Sequence, residues 1–84
     1  SGSVTCLIKF NDSIFISGSE DQTIIVWKYL KNTDAIKKYQ VLKNHHNYYI
    51  KTLLKFDDKI FVSASFMSII IWKLNYDNDK EVFE

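Results

Sequence analysis

At 84 residues the chain is one small domain or a section of a larger one, and alone it would bury only about 60–65% of its unfolded surface. An apolar share of 46% with 15% aromatics excludes disorder, so these side chains pack against each other or against chain beyond them. Eleven lysines and ten acids are interspersed to a net charge of +1, without the clustered positive charge that nucleic acid or anionic membranes need.

In chain order, Ser1-Gly2-Ser3 reads as a cloning remnant or an excised boundary. Val4–Phe10 alternates with period two, putting Val4, Cys6 and Ile8 on one face and Thr5, Leu7 and Lys9 on the other, which predicts a strand. Asn11-Asp12-Ser13 has the residues of a short turn, and Ile14–Ser17 should return as the second strand of a hairpin. Gly18–Gln22 is a further turn. Thr23–Lys28 carries an unbroken apolar run from Ile24 to Trp27, as in a strand covered on both faces. Lys31–Asp34 reads as a loop tip. Lys37–Leu42 fits an outer strand by alternation, with a helix from Asp34 to Leu42 as the alternative.

The same order then returns. Tyr49–Phe56, Lys59–Ser63 and Ser68–Leu74 read as strands, separated by turns at Asp57-Asp58 and Ser65–Met67. Asn75–Asp79 is turn-like, and Lys80–Glu84 begins a last strand. Proline is absent and no segment shows a convincing helical period, so the expected fold class is all-β.

Phe10 to Phe56 and Ser17 to Ser63 each span 46 positions, and Trp27 to Trp72 spans 45. A period of about 40–45 residues with four strands is the signature of a propeller blade. Ser17–Trp27, reading SGSEDQTIIVW, echoed at Ser63–Trp72 as SASFMSIIIW, resembles two successive WD repeats. The resemblance covers Val4 to about Phe83, with Val4–Lys43 as one blade and Asn44–Glu84 as the next. His46 stands where the family's Gly-His element would place its histidine, with His45 at the glycine position. Lys28 and Lys73 replace the final aspartate of the Trp-Asp pair. The very short turns before Ile14 and Ile60 are similar to those of F-box/WD-repeat and kinase-associated WD-repeat proteins.

The resemblance implies an incomplete β-propeller of two four-stranded antiparallel blades. It also implies a buried polar network in which a turn aspartate, a histidine, a strand serine and a tryptophan indole satisfy one another. Ser17, Asp21 and Trp27 would supply it in the first unit, where the histidine would precede Val4. His46, Ser63 and Trp72 would supply it in the second, where Phe66-Met67 replaces the aspartate region. Both networks are therefore expected to be incomplete, at a cost of about a few kcal/mol, with the second blade the looser.

Other constellations read as framework. Ser17, Asp21 and His46 have the residue types of a hydrolytic triad but belong to different repeats, with no nucleophile elbow. His45-His46-Asn47 lacks further ligands at metal spacing. Asp57-Asp58 occupies a hairpin turn, and the two glycines cannot form a phosphate cradle. Cys6 alternates with apolar neighbours as a core residue. As the sole cysteine it fits a reducing compartment, hence an intracellular location in cytoplasm or nucleus. Neither a catalytic site nor a cofactor is expected.

Phe66 and Met67 put two large apolar side chains into a turn, either tucked over the blade edge or exposed for contact. Tyr48 and Tyr49 should lie near the same rim, and aromatics with methionine are enriched in interface cores. The expected function is a non-catalytic protein–protein interaction scaffold holding protein or peptide partners in a complex, with further blades in the same chain or in other copies. The alternative is a substrate-recognition module of an enzyme assembly such as a ubiquitin ligase. Absence of arginine counts against phosphopeptide capture by these two units.

Overall fold

The computed structural model describes residues 3–43, 46, 48–77 and 80–84. Ser1, Gly2 and the expectations for His45 and Asn47 lie outside the described residues, as do Asn78 and Asp79 at the end of the expected last turn. Among the described residues the chain forms β1 (Val4–Lys9), β2 (Ile14–Ser19), β3 (Ile24–Leu30), β4 (Ala35–Leu42), β5 (Thr52–Lys55), β6 (Ile60–Ala64), β7 (Ile69–Asp77) and β8 (Lys80–Phe83). They make two four-stranded antiparallel sheets, ordered β1-β2-β3-β4 and β5-β6-β7-β8, with no helix among the described residues. The all-β class and the two meanders match the sequence expectation, and residues 35–42 form a strand, not a helix.

Several boundaries move for physical reasons. β2 runs through Gly18 to Ser19, because both still pair with β1 and β3 or β1 alone. β7 continues past Leu74, since Asn75, Tyr76 and Asp77 pair with Val82, Glu81 and Lys80. β5 starts at Thr52, three positions after the expected start at Tyr49. The register shifts between Val4 and Cys6, so Val4 lines the same groove as Leu7 and not the face of Cys6 and Ile8.

The core lies between the two sheets. Ile14, Ile16, Ile24 and Val26 are buried on one side; Leu53, Phe61, Trp72 and Phe83 meet them from the other. Phe10, Phe61 and Phe83 pack edge to face, with centroids 5.0–6.2 Å apart, an arrangement aromatic quadrupoles favour. Phe61 also stacks on Trp72 at 6.0 Å.

Polar contacts also bridge the two sheets. Gln40 on β4 donates to the Phe83 carbonyl and accepts the Phe83 N–H, both at 2.9 Å. The Tyr39 hydroxyl donates to the Glu81 carbonyl. Lys28 Nζ lies 2.9 Å from Glu81 Oε1 and 4.1 Å from the Tyr39 ring centroid.

The connector joins the first sheet closely. A Cβ on Gly18 would come within 2.5 Å of Ile50 Cγ2 and 2.9 Å of Cys6 Sγ. A glycine is needed there for the approach itself, since Ile50 is fully buried against it.

Candidate functional site

The first candidate network is built on β2, β3 and the turn between them. Ser17 and Trp27 lie on one face of this hairpin, and Trp27 Nε1–H donates to Ser17 Oγ at 2.9 Å. Asp21 organises the turn. The Thr23 N–H and hydroxyl donate to its Oδ1 at 3.1 and 2.5 Å, the Ser19 hydroxyl donates to the same oxygen, and the Asp21 N–H donates to Ser19 Oγ at 3.0 Å. Gln22 takes φ 73°, the left-handed conformation that lets the chain reverse here.

The second network is more deeply set. Trp72 Nε1–H donates to Ser63 Oγ at 2.9 Å, and His46 Nε2 lies 2.7 Å from that same oxygen. His46 Nδ1 lies 2.6 Å from Ser68 Oγ and 3.1 Å from Ser65 Oγ, and the two serines are 2.9 Å apart. His46, Ser63 and Trp72 are all buried. Ser63 Oγ accepts from the Trp72 indole and keeps a donor and a second acceptor site for its bond with His46 Nε2. Both ring nitrogens of His46 are therefore bonded to serine hydroxyls, which can donate or accept.

These bonds correct the expectation of an incomplete second network. An aspartate is indeed missing, but two hydroxyls flanking Phe66-Met67 do its work. Ser65 and Ser68 were the residues sequence reasoning missed; their signal was a pair of serines bracketing the altered turn. No buried side-chain nitrogen or oxygen among the described residues lacks a partner.

Ser17, Asp21 and His46 do not converge. Ser17 serves Trp27, Asp21 serves its own turn, and His46 reaches the second sheet. Cys6 is half-buried beside the core with a free thiol.

Phe66 and Met67 are not tucked over the sheet edge: 68% and 72% of their surfaces remain accessible. Tyr48 and Tyr49 are also exposed. The Tyr48 and Phe66 rings meet edge to face at 5.7 Å, so the connector and the β6–β7 turn form one aromatic knob. His46 enters from the connector, and Ser65 and Ser68 flank Phe66-Met67. The buried network therefore fastens together the two segments that carry the knob. The arrangement presents apolar contact area at low entropic cost, because the backbone beneath it is already held. Lys28, Lys55 and Lys38 lie near the rings of Tyr39, Phe10 and Trp27, away from this knob.

No protein-family profile matches the chain, and no solved structure matches it.

Proposed function

We propose that the two sheets are successive WD-repeat blades of a β-propeller and that they act as a non-catalytic scaffold for protein or peptide partners. Supporting the blade reading are the repeat itself and the recurrence of a serine–indole bond at the same place in both units. The observation that carries the binding role is the exposed Tyr48–Phe66 pair, with Met67 and Tyr49 beside it, on segments anchored by His46. Large apolar side chains held on a fastened turn suit the anchoring role that aromatics and methionine take at interface centres. Partners would meet the knob within an intracellular multiprotein complex.

The test is a Phe66→Ala/Met67→Ala double variant compared with the parent chain in partner capture and thermal unfolding. Bound proteins should be lost while the unfolding midpoint stays within a few degrees. A variant that unfolds, or one that retains every partner, would refute the binding role.

A further inference from the structure

The two sheets join by unlike faces. Leu7, Phe15 and Trp27 correspond in register to Leu53, Phe61 and Trp72. The second set is buried between the sheets, whereas the first, with Val4 and Ile36, lines an open apolar groove: Leu7 is 63% exposed and Leu53 6%. On the opposite faces the relation reverses. Ile14, Ile16, Ile24 and Val26 are buried, while their counterparts Ile60, Val62, Ile69 and Ile71 form the outer surface, with Ile69 74% exposed against 1% for Ile24. Each free face therefore has the composition of one half of the interface already made inside the chain.

We infer that a second copy of this chain docks head to tail, laying its Val4–Leu7–Trp27 groove on the Val62–Ile69–Ile71 face and repeating the internal interface between copies. Two details favour a second copy over an unrelated apolar partner. The internal joint needs Gly18 because Ile50 presses on it. Their counterparts are Ala64 and Val4, in which one methyl is added on one side and one methylene removed on the other. Such a volume-conserving exchange keeps a packed joint feasible. Charge is also kept. Lys28 pairs with Glu81 across the internal joint. Lys73 holds the place of Lys28 in the second sheet, and Asp34, in the turn next to Ala35, puts a carboxylate beside the counterpart of Val82. A joint of unlike faces extends into rings or linear arrays and does not stop at a two-fold dimer. This pairing rests on the two faces alone, independently of the family reading and of the aromatic knob.

Two lysine variants on exposed strand positions test it, by light scattering and analytical ultracentrifugation over a wide concentration range. The parent chain should gain mass with concentration. Leu7→Lys blocks one face and Ile71→Lys the other, so each alone should remain a single chain. Mixed in equal amounts they should pair one to one and double the mass, because each retains the face the other lacks. Circular dichroism checks that each variant is folded; Val4→Lys or Ile69→Lys replaces one that is not. A parent chain that stays monomeric overturns the inference and hands the faces to a different partner. Folded variants that do not pair overturn it as well. So does self-association of Ile71→Lys that Leu7→Lys abolishes, which would mean like-to-like docking of grooves.

Discussion

Ser17–Trp27 and Ser63–Trp72 are one hydrogen bond in two settings. Both span 2.9 Å, and both join the middle strands of a meander across the same register. In the second sheet the bond is buried and the serine also serves His46; in the first it lines an open groove. Strand pairing is thus enough to make the bond. Its value to stability depends on what covers it, because a buried donor left unpaired loses its solvation while a half-exposed one turns to water.

That contrast can be broken most forcefully at the aromatic residue beside each serine. Phe61→Ala should cost about 3–5 kcal/mol, since it empties the centre of the inter-sheet core. Phe15→Ala, at the matching place on the groove, should cost less than half of that when the chain is dilute. Urea unfolding of both variants checks this; equal losses would mean the groove is already covered in solution. The serines give a sharper and smaller version. Ser63→Ala should lose about 2–3 kcal/mol by removing the buried hydroxyl that Trp72 and His46 share, and Ser17→Ala about 1 kcal/mol or less. Denaturation midpoints with unchanged slopes would report these differences.

The smallest effect belongs to the exposed tip of the first sheet. The Tyr29 hydroxyl donates to Asp34 Oδ1 at 2.6 Å, and that bond, with a lesser contribution from desolvation, raises the phenol's pKa above its ordinary value. A raised folded-state pKa means the protonated phenol is favoured by folding. The contribution is present below the unfolded pKa and is lost as pH climbs through the folded one, in the alkaline range. Asp34→Asn should bring the Tyr29 titration, followed by ultraviolet absorbance, back down toward the ordinary phenol. An unchanged titration would mean the bond does not persist in solution.

Alternation and turn chemistry made most of the fold legible. Asn11-Asp12-Ser13 and Asp57-Asp58 marked their hairpins because short polar side chains bond nearby backbone: Asn11 Oδ1 accepts from the Ser13 N–H and Asp57 Oδ1 from the Lys59 N–H. Alternation puts Val4 on the face of Cys6, whereas the structure turns it to the other, because a register shift leaves no mark in a pattern of alternating residues. β7 was cut short at polar Asn75, although an outer hairpin tolerates polar residues where one face meets water. Both Ser–Trp pairs are what the family resemblance implies, and both bonds form. The roles of Ser65 and Ser68 leave no such mark, because hydroxyls that accept and donate equally well take the contacts to His46 without matching any fixed spacing. Sequence alone leaves Tyr48, Tyr49, Phe66 and Met67 open between packing and exposure; the structure exposes all four, and the meeting of Tyr48 with Phe66 depends on how the connector folds back over a distant turn.

Ile50 has a further consequence for how the molecule assembles. Its N–H donates to the Ser19 carbonyl, its own carbonyl accepts from the Thr5 hydroxyl, and its side chain fills the space Gly18 leaves. The residue lies just before β5, yet its attachments are to the first sheet. Each meander can form from contacts between successive strands, which are short in sequence and quick to make. Once the first is formed, Ile50 acts as a tether point that sets where the second begins. From there a slip of one residue in β5 would turn Leu53 outward and Leu54 inward. The first sheet thereby sets where the connector meets it ahead of β5, through the space that one missing side chain leaves.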